Sequence, residues 1–176
     1  PQIGFIAVGV AILMIAGEFD LSVGATFTLA GLTMAAFYAA GVPVVFCVMA
    51  ALAIGVAIGL VNGFLTLTFA IPSFIVTLGT MMILRGVILY ASGTATMPFR
   101  PEPWFDSLLT GQIGFLQAQF LWFLGFVIAA WLLLSWHRIG NHVLSVGGNR
   151  GAANAIGVNV FKTKMFAFGA AGFMAA

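Results

Sequence analysis

Two of the four acidic residues, Glu18 and Asp20, lie two positions apart in the segment GEFDLSVG, between two almost purely apolar runs. On one helix, residues two apart point to nearly opposite sides, so these carboxylates cannot act as an acid–base pair. Glycines bracket the segment and favour a break in the helix. We predict that Asp20 is the N-cap of the next helix, accepting from the N–H groups of Ser22 and Val23.

A broken helix in hydrocarbon needs partners for its freed backbone groups, so it is tolerated only inside protein or beside a cavity. Such helices often line transport sites. Three roles for the acidic segment stay open: a cap that only holds the break, contact of Asp20 with a solute, and gating or contact with a cytoplasmic partner.

Other polar side chains interrupt apolar runs further along the chain. Hydroxyls at Ser73, Thr77 and Thr80 form a stripe one helical turn apart, which either lines a polyol path or bonds the carbonyl one turn back. Asn62 needs a hydrogen-bond partner. Arg85 lies roughly 20 Å along its helix from Pro72, and either it faces a functional cavity or it reaches the outer interface.

The sequence has no motif for catalysis or for a resident metal. His137 and His142 are five apart, which is poor metal spacing, and neither HExxH nor GxSxG occurs. GGNRG lacks the Gly-Lys-Ser/Thr of a phosphate loop. We expect no catalytic residues, no metal, no cofactor and no nucleic-acid partner, and we expect that the chain itself does not hydrolyse ATP.

The composition indicates a membrane protein. Hydrophobic residues make up 62% and charged residues 6%, and the mean hydropathy is +1.18, whereas soluble domains are about 25% charged. Cys47 stands alone and predicts a buried small apolar residue. The chain starts without methionine and ends within an apolar run, which we interpret as a fragment of a longer protein.

Apolar runs predict an all-α, polytopic transmembrane bundle of about five spans and the start of a sixth. The first two runs are short for a full crossing. The runs are Ile3 to Ala16, Ala25 to Ala40, Val44 to Phe69, Ser73 to Ala91, Phe120 to Trp136 and Phe166 to Ala176.

Positive charge predicts the orientation. The loop 137–165 holds four of the six cations and no acid, so we expect it to be cytoplasmic. The loop 92–119 is then external, and GEFDLSVG lies toward the cytoplasmic half. We expect Lys162 and Lys164 to anchor the last run at the headgroups.

The external loop carries prolines at 98, 101 and 103, which oppose a helix through it. Trp104 and Phe105 suit a membrane interface. An ordered interfacial loop, a lid and a docking edge for a soluble partner all fit this composition.

Two further features concern packing. Gly55, Gly59 and Gly63 recur every fourth residue and form a small-residue stripe that admits a second helix, within the subunit or between subunits. In the cytoplasmic loop, RGAANAIG predicts a short helix ended by Gly157. Its small, shallow face suits a groove on another protein and comprises Ala152, Ala153, Ala155 and Ile156.

Four segments in order, DLSVG, VNGFL, IPSFIVTLGTMMILRG and LSVGGNRGAANAIGVNV, resemble the membrane permease subunits of bacterial ABC sugar importers of the ribose/xylose type. A related branch imports branched-chain amino acids. The resemblance covers nearly the whole chain, as one transmembrane permease domain over 1–176. The family often has two glycines and an aliphatic residue before the aspartate, so Glu18 is an additional charge here.

The resemblance implies a multi-pass protein of the bacterial inner membrane and a pore of two permease subunits, with a homodimer expected. It also implies a periplasmic sugar-binding protein and an ATP-binding cassette ATPase, with lipid around the bundle. The segment from Gly148 to Gly157 would sit in a groove of the ATPase, with contacts at Gly148, Asn149, Ala152, Ala153, Ile156 and Gly157. The solute path would include Asp20, Ser22, Asn62, Ser73, Thr77, Thr80 and Arg85.

Two alternatives remain. One is a permease for a polyol or a branched-chain amino acid. The other is a membrane scaffold or an ion-coupled carrier without an ATPase, for which Asp20 and Arg85 are the only candidate ionisable groups.

Overall fold

The computed structural model describes residues 2–93, 95, 97–113 and 116–176. Within these ranges the regular secondary structure is helical apart from one two-residue antiparallel pair, β1 (Gln112–Ile113) with β2 (Leu116–Gln117). The helices are α1 (Gln2–Ile15), α2 (Val23–Ala39), α3 (Val44–Phe69), α4 (Ser73–Ser92), α5 (Pro103–Thr110), α6 (Ala118–Trp136), α7 (Arg138–Gly148), α8 (Arg150–Ala155) and α9 (Val160–Ala175).

Six of these helices correspond to the predicted apolar runs, although α9 begins at Val160 instead of Phe166. By length and composition α3, α4 and α6 can cross a membrane, while α1 and α2 are shorter apolar helices of 14 and 17 residues. The prediction of a helical membrane protein is therefore confirmed.

Prolines and left-handed residues set the helix boundaries. Pro43 and Pro72 are the N-caps of α3 and α4, where a missing N–H costs no helical hydrogen bond. Ala70 ends α3 at φ 53°, and Gly93 ends α4 at φ 56°. The gaps between the predicted apolar runs, at 41–43 and 70–72, are thus the turns before α3 and α4.

The segment 92–119 contains a helix that was not predicted from the sequence. The eight-residue helix α5 begins at Pro103, the last of the three prolines, and does not run through Pro98 or Pro101. Proline at the first helical position is compatible with a helix because its nitrogen has no intrahelical partner there. Positions 94, 96, 114 and 115 of this loop lie outside the described residues.

Helix α9 lies at the centre of the packing and contacts α1, α3 and α7. Its Phe168 is fully buried and packs with Leu13 and Ala16 at the end of α1 and with Val143 of α7. The start of α9 is fixed separately, in a small cluster of Val146, Ala153, Val158 and Val160. Helices α7 and α8 are therefore packed against the apolar helices α1 and α9.

The outer surface of the helices is strongly apolar. On α4 alone, Ile83 is 68% and Tyr90 93% exposed, and α3 exposes Phe46 at 60%. Apolar side chains of this size facing outward suit a hydrocarbon surrounding rather than water.

Candidate functional site

The acidic segment is a break between α1 and α2, as predicted. Gly17, at φ 79°, ends α1 in a Schellman motif: the Gly17 N–H donates to the Met14 carbonyl at 3.0 Å, and the Glu18 N–H donates to Leu13 at 3.2 Å. The left-handed conformation at this turn favours glycine, which has no Cβ penalty there.

Hydroxyls of α4 satisfy the freed backbone donors of the break. The Phe19 N–H donates to Ser73 Oγ at 3.1 Å, and the Leu21 N–H donates to Thr77 Oγ1 at 3.2 Å. Thr77 also donates to the Ser73 carbonyl at 2.8 Å. Both hydroxylated side chains are buried. The predicted hydroxyl stripe therefore stabilises a broken backbone that hydrocarbon could not solvate.

A buried polar cluster lies beside this contact, defined here as Asp20, Ser22, Asn62 and Thr80. Asp20 Oδ1 accepts from the N–H of Ser22 at 2.7 Å and from its hydroxyl at 2.6 Å. The amide nitrogen of Asn62 donates to Ser22 Oγ at 2.9 Å and to Asp20 Oδ2 at 3.4 Å. Thr80 Oγ1 donates to Asn62 Oδ1 at 2.6 Å. Every side chain of this cluster thus has a partner.

The N-cap assignment needs a correction. Ser22, not Asp20, is the N-cap residue of α2. Asp20 accepts from the backbone and hydroxyl of Ser22, two residues on, and lies just before the N-terminus of α2, where the helix dipole stabilises negative charge. A carboxylate 7% exposed is tolerated here because its oxygens accept several hydrogen bonds.

Arg85 lies apart from the buried polar cluster. Its side chain is exposed and borders an open cleft of about 530 Å³ between α2 and α4, with Leu21, Gly24 and Thr28 on the opposite wall. Within the described part of the chain no hydrogen bond or ion pair to Arg85 is found. The Arg85 guanidinium therefore faces the first turns of α2 across this cleft.

The glycine stripe lies at the contact between α3 and α9. A side chain at Gly55 would meet the carbonyl oxygen of Gly172, and one at Gly59 would meet that of Phe168. A Cβ at Gly63 would lie 3.0 Å from the sulfur of Met165. The stripe thus allows backbone-to-backbone packing inside this chain.

The residues predicted for ATPase contact divide into two groups. Ile156 is 74% exposed, and Gly148, Asn149, Ala152 and Gly157 are also exposed. Asn149 caps α8, accepting from the Ala152 N–H at 3.0 Å, and Gly157 has φ 85°. Ala153, in contrast, is buried among Val146, Val158 and Val160. It therefore packs α8 against its neighbours and is not part of the exposed face.

Two features of the site were missed from the sequence. Lys164 does not anchor at the headgroups; it forms a buried ion pair with Glu18. Helix α7 was also not predicted, although it buries Gly140, Val143 and Val146 on one face. The one sequence signal for the ion pair was that Glu18 and Lys164 are charged residues within or beside apolar runs.

The chemistry of a metal centre is not found here. Among the described residues no group of three or more His, Cys, Asp or Glu side chains is placed to hold an ion. The arrangement combines a helix break, whose polar groups are hydrogen-bonded, with an adjacent open cleft.

The chain is similar in sequence to known transport proteins. The family described as branched-chain amino acid transport system / permease component matches residues 1–176. The chain is 33% identical over 175 residues to the ribose import permease protein of Escherichia coli (strain K12), covering 96% of this chain and 54% of that protein. It is 32% identical to the xylose/arabinose import permease protein of Sulfolobus acidocaldarius, covering 95% and 48%.

The L-arabinose ABC transporter permease protein of Azospirillum brasilense is 34% identical, covering 94% of this chain and 49% of the relative. No solved structure matches the chain. The chain spans about half the length of the curated relatives it matches.

The resemblance to sugar-importer permeases is confirmed by these relatives. The family description names a transport component, which agrees with the prediction that the chain is not itself an enzyme. The match over every residue, together with the apolar helices, establishes that this multi-pass membrane protein belongs to the branched-chain amino acid transport system / permease component family.

Proposed function

We propose that this chain is part of the permease subunit of an ATP-driven importer for a monosaccharide in a bacterial inner membrane. The observation that carries the proposal is that relatives named for ribose, xylose/arabinose and L-arabinose import align over at least 94% of the chain. The polar break and the adjoining cleft supply the local geometry that a transport path requires.

The chain would form one transmembrane permease domain over 1–176. Six apolar helices would cross or enter the bilayer in alternating directions: α1, α2, α3, α4, α6 and α9. The cationic loop 137–165, which includes α7 and α8, would face the cytoplasm. The break would then lie in the cytoplasmic half, since Glu18 contacts Lys164 near the start of α9.

The solute path would run along the cleft between α2 and α4. Arg85 would offer N–H donors to sugar hydroxyls, because its guanidinium is exposed and has no partner among the described side chains. Asp20, Ser22, Asn62 and Thr80 would shape the wall of the path from behind, and Ser73 and Thr77 would hold the break in register with α4.

The importer would need three kinds of protein partner. A periplasmic binding protein would deliver the sugar, an ATP-binding cassette ATPase would drive the change of state, and a second permease copy would complete the pore. Lipid would cover the remaining apolar surface, to which α4 and α6 contribute long exposed faces. The exposed side of α8, with Ile156 at its end, would contact the ATPase.

The experiment uses the full-length parent protein in lipid with its candidate ATPase. ATP hydrolysis is measured with and without a binding protein loaded from a panel of pentoses, hexoses, polyols and branched-chain amino acids. We expect stimulation by one loaded monosaccharide. Assembly of the complex is confirmed first by co-purification, so that an inactive sample is not mistaken for a negative result.

The alternatives predict different outcomes. Stimulation by an amino acid alone would favour the amino acid branch, which the family description itself names. Uptake that needs an ion gradient and no ATPase would favour a carrier. That reading is less well supported by the geometry, since the Asp20 carboxylate is closed in by its own hydrogen bonds.

A further inference from the structure

An ion pair joins the break to the start of α9 across 146 residues of sequence. Lys164 Nζ contacts Glu18 Oε1, and their side chains are only 8% and 13% exposed. Among the described side chains this is the one ion pair between charged groups. Because both charges are largely removed from water, neither is easily left without the other.

Lys164 belongs to the cytoplasmic side of this contact. It lies in the second turn of α9, whose first turn is capped by Asn159, accepting from the Lys162 N–H at 2.9 Å. Val160 at the start of α9 packs with Val146 of α7 and Ala153 of α8. A displacement of α7 and α8 would therefore carry Lys164 with it.

Glu18 belongs to the other side, the break itself. Its N–H is bonded to the Leu13 carbonyl, and the next residue, Phe19, donates to Ser73 of α4. Asp20, in the buried polar cluster, follows two residues later. A force on the Glu18 carboxylate is thus applied to the segment that borders the α2–α4 cleft.

A second contact runs parallel to the ion pair. A side chain at Gly147 in α7 would meet the carbonyl oxygen of Ile15 and would lie 3.4 Å from the Cα of Ala16. The backbone of α7 therefore touches the last turn of α1 just before the break. The ion pair and the Gly147 contact together restrict movement of α7 and α8 relative to the break.

We infer that Glu18 and Lys164 are positioning residues that transmit a displacement of the cytoplasmic helices to the break between α1 and α2. The inference rests on the proposed function, in which an ATPase moves α8. It assigns a role to the additional charge at Glu18, and it places the transmission in an ionic contact rather than in apolar packing alone.

The test compares two double variants of the full-length importer in proteoliposomes. Glu18→Met with Lys164→Met removes both charges together and so avoids an unpaired buried ion. Glu18→Lys with Lys164→Glu keeps the pair with its polarity reversed. The matched control is Lys162→Met, an exposed lysine two residues away on the same helix.

We expect the charge-free variant to assemble and to keep its basal ATP hydrolysis, while the sugar-stimulated part of hydrolysis and sugar uptake fall by about tenfold. The reversed pair should recover both to within about threefold of wild type. The control should behave as wild type. A purely structural role would lower assembly and basal hydrolysis along with the stimulated part.

Three results would overturn the inference: a charge-free variant that responds to sugar as wild type does, a reversed pair as uncoupled as the charge-free variant, or failure of both double variants to assemble while the control does. A wild-type complex with no sugar response would instead overturn the proposed function, and the inference with it. If the wild-type complex responds to sugar and both double variants respond equally well, the inference fails and the proposed function stands.

Discussion

The side-chain amide of Asn62 donates to Ser22 Oγ at 2.9 Å, although the two residues are 40 positions apart. The same amide accepts from Thr80 at 2.6 Å. One fully buried side chain on α3 therefore joins the break and α4. Each member of the polar cluster bonds to another member, so removal of one takes a hydrogen-bond partner from at least one of the others.

Asn62→Ala should lower the free energy of unfolding by about 1–3 kcal/mol, because Ser22 and Thr80 each lose a hydrogen-bond partner in a buried site. The measurement is thermal unfolding of the full-length parent in detergent. Asn141→Ala is the control, since Asn141 is exposed on α7. Equal melting temperatures for the two variants would contradict the structural importance of the cluster.

The sequence predicted the membrane helices because long apolar runs and proline boundaries are local signals. It predicted the break from glycines around two charges. It could not show that Ser73 and Thr77 bond the break, because that contact depends on how α4 packs. The pairing of Glu18 with Lys164 depends on tertiary structure in the same way.

Gly59→Ala should destabilise the chain by about 1–3 kcal/mol through overpacking, since its methyl group would meet the Phe168 carbonyl oxygen and push α3 away from α9. Gly125→Ala on α6 is the matched control, because no atom of another helix lies within 4 Å of its Cβ position. Folded yield after extraction and the melting temperature give the comparison. If both alanines are tolerated equally, the close approach of α3 and α9 does not limit stability.

Arg85→Leu should leave the melting temperature unchanged or raised, since leucine is favoured over arginine within a membrane helix and the guanidinium has no described partner to lose. Sugar uptake should fall by about tenfold or more, the equivalent of one hydrogen bond to a charged group. Uptake into proteoliposomes is measured beside Arg100→Leu, which changes an exposed arginine in the segment 92–119. Uptake unchanged in both variants would mean that Arg85 only reaches the outer interface.

Ile156→Arg tests the proposed ATPase contact at the end of α8. Ile156 is 74% exposed, so arginine there should not disturb the fold, but it would place a charge in an apolar contact with the partner. We expect the ATPase to co-purify about tenfold less well, with the permease still folded. Asn141→Arg adds the same charge to an exposed position of α7 and should retain the ATPase.

Ala153→Arg completes this comparison, because Ala153 was predicted on the contact face but packs against Val146 and Val160. A buried arginine without a partner charge should prevent folding rather than uncouple transport. We expect the Ala153→Arg protein not to fold, and the Ile156→Arg protein to fold without binding the ATPase. This result would show that Ala153 packs α8 in place while Ile156 contacts the partner. If the Ile156→Arg protein retains the ATPase fully, the end of α8 does not contact the ATPase.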